Sequence, residues 1–131
     1  MADRKRWQTI GLWVLSGLLG ALFVMSGGSK LAGVQQHVDN FARWGYPDWF
    51  RLVVGALEVV AAALLFARRF AFFGALALVI VMAGATYTHL FRATGEGAMA
   101  AFTLVLLGLA ALVAYVRADD GLPALRAMRE P

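Results

Sequence analysis

The sequence predicts an all-α integral membrane protein, an antiparallel four-transmembrane-helix bundle with a short interfacial helix or loop between its first and second transmembrane helices. Hydrophobic residues make up 61% of the 131 residues and charged residues only 15%, whereas a soluble domain carries roughly 25% charged residues. The apolar residues lie in four blocks, each near the ~20 residues that a helix needs to cross a bilayer. The blocks lack the period-two alternation of a barrel strand, so helices must satisfy their backbone groups in lipid. We expect a single domain over 1–131.

The first transmembrane helix is predicted over 7–31. No charge lies between Trp7 and Ser29, and a basic cluster at 4–6 precedes the block. A basic start followed by apolar residues is also typical of a signal peptide. This run is too long for an ordinary signal sequence and lacks a small-residue cleavage site, so an uncleaved helix is expected.

The segment 32–48 connects the first two transmembrane helices. Val34, Val38 and Phe41 recur in it at helical spacing, which suits a short amphipathic helix at the extracytoplasmic face of the membrane. An ordered loop is the alternative interpretation of the same pattern.

Glu58 interrupts the second transmembrane helix, which is predicted over 49–67. It lies roughly 13 Å below the outer entry of that helix at about 1.5 Å per residue. A carboxylate at that depth costs several kcal/mol unless it is paired, protonated or hydrated, so it is expected to face the bundle interior. Lys30 is its natural partner, and Ser26 lies one turn deeper on the same face as Lys30. A purely structural ion pair, or a lysine that reaches water at the interface, is the alternative.

The third and fourth transmembrane helices are predicted over 70–91 and 97–116, followed by an exposed tail over 117–131. His89 lies near the outer end of the third helix, and Thr86 precedes it by three residues on the same face. Histidine can bind a ligand or change charge near neutral pH, although a histidine at a helix end is often only interfacial. Two separate histidines are weak evidence for haem or a metal, and no metal site is expected.

The distribution of basic residues predicts the orientation of the helices. Eight of the twelve lysines and arginines lie at one set of helix ends: Arg4, Lys5, Arg6, Arg68, Arg69, Arg117, Arg126 and Arg129. The remaining four lie at the opposite ends: Lys30, Arg43, Arg51 and Arg92. Because cytoplasmic loops carry the excess of basic residues, both termini are expected in the cytoplasm. The net charge of +4 therefore reflects topology, and no nucleic-acid partner is expected.

The polar residues of the four helices gather at one depth. The predicted topology places six of them in the outer half: Ser26, Lys30, Glu58, Thr86, His89 and Thr103. The inner halves are nearly free of polar residues, so we predict a polar intramembrane pocket that opens to the extracytoplasmic side. Trp44, Trp49 and Tyr87 are expected at its mouth.

Five stretches of the sequence form a recognisable set. They are GGSKL at 27–31, WGYP at 44–47, GALE at 55–58, the basic inner turn at 68–69 and the histidine-bearing segment 82–90. Each resembles a motif of the DoxX family, the DoxX/DoxD-like four-helix membrane proteins, whose signatures include glycine-x-lysine-leucine, glycine-x-proline and glycine-x-x-glutamate. The resemblance covers nearly the whole chain, in order and at suitable spacing.

The resemblance implies a multi-pass protein of a bacterial or archaeal inner membrane. Some relatives are described as membrane subunits of quinone-linked sulfur oxidation, and others assemble or escort membrane proteins. Carried over to this chain, the matching positions are Lys30, Glu58 and His89. The resemblance suggests quinone as the cofactor, but family membership specifies architecture better than activity.

Three functions compete at this point. The first is an accessory protein that binds a small amphipathic ligand, a quinone or a lipid, or a redox partner, as a membrane subunit of a quinone-linked oxidoreductase. The chain has no cysteine and no convincing haem ligands, so it is not expected to be a self-sufficient enzyme. The alternative is an assembly or chaperone-type protein that holds a client membrane protein. A small proton-coupled transporter working as a homodimer is a weaker alternative. Such transporters carry their acid in the first helix, and the first helix predicted here contains no acid.

Overall fold

Five α-helices make up the described part of the chain, residues 5–93 and 95–121 of a computed structural model. In chain order they are α1 (Arg6–Leu31), α2 (Gln35–Arg43), α3 (Asp48–Leu65), α4 (Ala71–Phe91) and α5 (Gly97–Gly121). No strand occurs within these residues, so the predicted all-helical class is confirmed there. The segment predicted as a short helix or a loop forms the helix α2.

Three of the helices are long and apolar enough to cross a membrane: α1, α4 and the Gly97–Ala118 part of α5. α3 has 18 residues, which span about 27 Å at about 1.5 Å per residue. It carries three charged residues within those 18, Asp48, Arg51 and Glu58, and is not among the three candidate spans. The predicted count of four transmembrane helices therefore stays a prediction, as does the single domain.

The long helices pack in chain order, α1 against α3, α3 against α4 and α4 against α5. α1 and α5 touch at few positions, and α2 packs against α3 and α1. Apolar side chains from all four long helices form the buried core: Leu12, Leu19, Phe23, Ala61, Ala62, Leu65, Ala75, Leu78, Met82, Leu106, Ala110, Val113 and Ala114.

α1 and α3 cross at two glycines, Gly27 and Gly55. A Cβ atom added at Gly27 would lie 2.6 Å from the Gly55 carbonyl oxygen, and one added at Gly55 would lie 2.9 Å from the Gly27 carbonyl oxygen. Because side chains do not approach backbone that closely, only glycine at both positions permits this crossing. Lys30 and Glu58 each follow one of these glycines by three residues, so the crossing carries both to the same interface.

The last helix extends beyond its predicted end at 116 and runs to Gly121. The prediction of an exposed tail from 117 is wrong at Arg117, which is only 1% exposed. The Arg117 guanidinium carbon lies 4.5 Å from the centroid of the Trp13 ring. A planar guanidinium can stack on an aromatic face while its apolar stem is buried. The rest of the predicted tail, 122–131, lies outside the described residues.

Candidate functional site

Lys30 and Glu58 form a buried ion pair between α1 and α3. Lys30 Nζ lies 2.9 Å from Glu58 Oε1, and the two side chains are 11% and 1% exposed. The same ammonium group donates a hydrogen bond of 2.7 Å to Ser26 Oγ, one turn back along α1. Three of the six predicted site residues therefore lie in one cluster. Pairing offsets the cost of burying either charge alone.

A second buried cation, Arg51, lies next to this pair. Its guanidinium donates a hydrogen bond to the Lys30 main-chain carbonyl and lies 3.2 Å from a carboxylate oxygen of Asp48. Lys30 is in the last turn of α1, where carbonyl groups lack a helical partner and a cation is favourable. The sequence indicated Arg51 only as a charge at the outer end of a transmembrane helix, because a buried and an exposed arginine look the same there.

Thr86 and Thr103 join α4 to α5. Their hydroxyl oxygens lie 2.9 Å apart. Each hydroxyl is also within hydrogen-bonding distance of a carbonyl in its own helix, that of Met82 for Thr86 and that of Ala100 for Thr103. The two hydroxyl groups have two protons between them and three possible acceptors, so each can donate a hydrogen bond without a further partner.

His89 pairs with Glu96, the residue that precedes α5. His89 Nδ1 lies 3.0 Å from Glu96 Oε1, and the histidine side chain is 9% exposed. The other carboxylate oxygen of Glu96 accepts a hydrogen bond of 2.8 Å from Arg43 Nη2. When Nδ1 donates its proton to Glu96, the neutral ring presents a lone pair at Nε2. Glu96 is absent from the predicted site, because an acid in a short connection between helices is usually solvated.

Hydrogen bonds join α2 to α1 and the turn after α2 to α4. His37 Nε2 lies 2.9 Å from Ser29 Oγ on α1, and the Tyr46 hydroxyl lies 2.7 Å from Thr88 Oγ1 on α4. Burial lowers the pKa of His37, and the nearby Lys30 ammonium lowers it further. The sequence singled out neither His37 nor Tyr46 as a site residue.

A cavity of about 1010 Å³ lies between α2 and the four long helices. Five of the six predicted site residues line this cavity: Ser26, Lys30, Glu58, His89 and Thr103. The sixth, Thr86, does not. Of the aromatic residues expected at its mouth, Trp44 and Tyr87 line the cavity, whereas Trp49 does not and is 63% exposed. The remaining wall is mainly apolar and aromatic, with Leu22, Phe23, Phe41, Phe50, Val53, Leu57, Ile80, Met82, Met99, Phe102 and Leu106 among its residues.

Two residues on this wall each hold a buried polar atom with no hydrogen-bond partner among the described residues, Oε2 of Glu58 and Nε1 of Trp44. A buried polar group left unpaired costs about 1–3 kcal/mol. The carboxylate oxygen is an acceptor and the indole nitrogen is a donor. Glu58 and Trp44 therefore hold one unused acceptor and one unused donor beside the cavity, among the described residues.

Each lysine or arginine on the described cavity wall is paired with a carboxylate. Lys30 pairs with Glu58, and Arg43 pairs with Glu96 at 2.8 Å. The positive and negative charges cancel within each of these two pairs, so the wall carries no net charge when its histidines are neutral. Within residues 5–93 and 95–121, no group of three histidine or acidic side chains could hold a metal ion.

Comparisons with known proteins match this chain to a protein family and to a bacterial relative. The DoxX-like family matches residues 14–121, a range that contains all six predicted site residues. The chain is also similar to an uncharacterized protein of Bacillus subtilis, YdgD, with 37% identity over 92 residues that cover 66% of this chain and 81% of the relative. No solved structure matches it.

Proposed function

Because the chain belongs to the DoxX-like family, we propose that it is an accessory membrane protein that binds a small amphipathic ligand in an intramembrane pocket. The pocket corresponds to the cavity lined by Lys30, Glu58 and His89. It opens to the extracytoplasmic side of a bacterial or archaeal inner membrane. Its ligand is a quinone or a lipid, which the protein holds for a redox partner.

The combination of apolar walls with a few buried polar groups supports this proposal. Small-molecule sites are cavities of roughly 300–1,000 Å³, mostly apolar, with a small number of convergent polar groups. The cavity of about 1010 Å³ is at the upper end of that range. Glu58 adds a second argument, since an acid within an apolar helix is rare unless pairing or function retains it.

The residues on the wall are suited to binding and to proton exchange. Trp44 Nε1 can donate a hydrogen bond to a ligand carbonyl, and His89 Nε2 can accept a proton from a ligand hydroxyl. Glu96, on the other ring nitrogen of His89, orients the imidazole. A bound quinone would supply the electron transfer, for which the side chains on this wall provide no carrier.

The proposed topology has four crossings, with α3 as the fourth. Its charges do not forbid a crossing, because Glu58 is paired with Lys30 and because Asp48 and Arg51 lie in its first turn. The excess of basic residues at 4–6 and 68–69 then places both termini in the cytoplasm. In this arrangement α2 lies at the extracytoplasmic face.

Filling the cavity tests the proposal. Gly84 lies on the cavity wall, and a Cβ atom added there meets nothing within 4 Å, so Gly84→Leu adds a large side chain at the wall without a clash at its first atom. Gly108 on α5 is equally free of neighbours and does not line the cavity, which makes Gly108→Leu the matched control. We expect the wild type and the control, purified from bacterial membranes, to retain an amphiphile that Gly84→Leu lacks.

The readout is mass spectrometry of organic extracts from the three purified proteins, normalised to protein. Circular dichroism of each preparation shows that the helices are intact. The same lipophilic molecules in the same amounts in all three folded proteins would contradict a ligand-binding role for this cavity.

A further inference from the structure

We propose that the ligand is an uncharged lipid that carries a hydroxyl group, which donates a hydrogen bond to Glu58 Oε2. The same ligand accepts a hydrogen bond from Trp44 Nε1 through a carbonyl or ether oxygen. This inference rests on the proposed function and narrows it, because it specifies the chemistry of the head group that the cavity takes.

The free oxygen of Glu58 defines the first requirement. Glu58 is 1% exposed, and Lys30 occupies only its Oε1 atom. Oε2 is buried and has no partner among the described residues. A carboxylate oxygen accepts hydrogen bonds and attracts a donor more strongly than a neutral acceptor does. A ligand that fits this position therefore carries an O–H or N–H group.

The indole of Trp44 defines the second requirement. Trp44 lines the same cavity, and its Nε1 atom is buried and has no partner within the described chain. An indole N–H can only donate. The ring is held in place, because it packs edge-on against His89 at 5.3 Å and the Trp44 carbonyl accepts a hydrogen bond of 3.1 Å from Arg92. The ligand must therefore carry an acceptor as well as a donor.

The charge of the wall defines the third requirement. Lys30 and Arg43 are already paired with Glu58 and Glu96, so a phosphate or carboxylate head group would find no free cation there. A cationic head group would lie beside the Lys30 ammonium, 2.9 Å from the carboxylate that it approaches. A buried charge without a free partner is unfavourable, which leaves an uncharged head group.

The apolar part of the cavity explains why the ligand is a lipid. Apolar and aromatic side chains form most of the wall, including Leu22 on α1 and Phe102 on α5. These two helices contact each other at few positions. Acyl chains would bury against this apolar surface, while the hydroxyl and carbonyl groups meet Glu58 and Trp44.

Three probes with the same acyl chains separate the requirements. Dioleoylglycerol has a free hydroxyl and two ester carbonyls, its acetylated analogue lacks the donor, and dioleoyl phosphatidic acid replaces the hydroxyl with an anion. Native mass spectrometry of the full-length protein in detergent measures the binding of each. We expect dioleoylglycerol to bind about tenfold or more tightly than either of the other two, the ratio typical of one hydrogen bond to a charged group.

Variants test the two hydrogen-bonding positions. Trp44→Phe keeps an aromatic ring but removes the donor, and it should weaken dioleoylglycerol binding about threefold to tenfold. Trp49→Phe makes the same change at an exposed position off the cavity wall and should leave binding unchanged. Equal effects of the two tryptophan variants would overturn the assignment of Trp44.

The outcomes also separate this inference from the proposed function. If the acetylated probe or phosphatidic acid binds as tightly as dioleoylglycerol, and Gly84→Leu abolishes that binding, the head-group assignment is wrong but the cavity still binds amphiphiles. Equal binding of the acetylated probe would show that the ligand hydroxyl donates no hydrogen bond to Glu58 Oε2. If Gly84→Leu leaves the binding of all three probes unchanged, both the inference and the proposed function fail.

Discussion

At the scale of single residues, burial distinguishes the charges that hold the site from those that only flank the helices. The Glu58 side chain is 1% exposed and that of Lys30 11%, whereas that of Arg43 is 59% exposed. An exposed ion pair contributes roughly 0–1 kcal/mol. Removing one member of a buried pair leaves a charge without compensation and costs about 3–5 kcal/mol. The Lys30–Glu58 pair is therefore expected to contribute far more to the stability of the site than the pair of Arg43 with Glu96.

Lys30→Met should lower the free energy of unfolding by about 3 kcal/mol, because it leaves the Glu58 carboxylate buried without its partner. The double variant Lys30→Met/Glu58→Gln removes both charges and should recover most of that loss. Titration with SDS in mixed micelles, followed by circular dichroism, measures both changes. Arg43→Gln is the control and should change the free energy by less than about 1 kcal/mol. If the losses measured for Lys30→Met alone and for Glu58→Gln alone simply added in the double variant, the two residues would not interact.

His37 should make stability depend on pH. Burial and the Lys30 ammonium lower the pKa of His37 below its ordinary value of 6.5, so the unfolded chain binds a proton more readily than the folded chain. The contribution of neutral His37 to the free energy of unfolding is present above pH 6.5 and is lost as the pH falls through the lowered pKa. The free energy of unfolding should therefore fall more in the wild type than in His37→Gln when the pH is lowered from about 8 to about 5.

The comparison of wild type with His37→Gln removes the contribution of all other titrating groups to the pH dependence, because both proteins share them. Glutamine also retains a donor and an acceptor for Ser29. Identical pH dependence in the two proteins would count against this role for His37.

At the scale of helices, the site is positioned by the crossing of α1 and α3. Gly27 and Gly55 allow the two backbones to touch, and the residues three positions later are Lys30 and Glu58. A Cβ atom at Gly27 would lie 2.6 Å from the Gly55 carbonyl oxygen and 2.9 Å from Glu58 Cβ. Because both neighbours belong to a packed helix, the two helices would have to move apart.

Gly27→Ala should therefore destabilise the protein by about 1–3 kcal/mol, the usual range for overpacking a close contact. Gly28→Ala is the matched control, because a Cβ atom at Gly28 meets nothing within 4 Å. Alanine is favoured over glycine within a helix by roughly 0.5–1 kcal/mol, so Gly28→Ala should be neutral or slightly stabilising. The same SDS titration measures both variants, and equal stabilities would contradict the close crossing.

At the scale of the whole molecule, the outer surface of the long helices is apolar. Large side chains on all four are more than half exposed, among them Trp7, Met25, Val60, Phe91 and Tyr115. Water would disfavour such a surface, and lipid would cover it. α3 shares in this surface through Val60, which is the whole-molecule argument for counting it as a fourth crossing.

Single cysteines test the fourth crossing, since the chain has no cysteine of its own. Ala42 in α2 and Arg69 between α3 and α4 are both exposed and lie at opposite ends of α3. A membrane-impermeant maleimide should label Ala42→Cys in intact spheroplasts, and Arg69→Cys only after the membrane is permeabilised. Labelling of both variants in intact spheroplasts would mean that α3 does not cross the membrane.

The sequence by itself determined the helical class, the family and the positions of the long helices. The predicted ranges 7–31 and 70–91 differ by one residue from α1 and α4 at their starts and agree at their ends. These features depend on local properties, namely the length of an apolar run and the residues at its ends. The later end of α5 was not predicted, because Arg117 is buried through a contact with Trp13 on α1, a helix far away in the sequence.

Only the tertiary structure decided which polar groups are partners. His89 lies beside Glu96, Arg51 contacts the Lys30 carbonyl, and Trp44 lines the cavity while Trp49 does not. Periodicity places residues on one face of one helix, but the rotation and depth of neighbouring helices depend on close packing between them. In this chain that packing depends on Gly27 and Gly55, where the absence of a side chain sets how closely α1 and α3 approach.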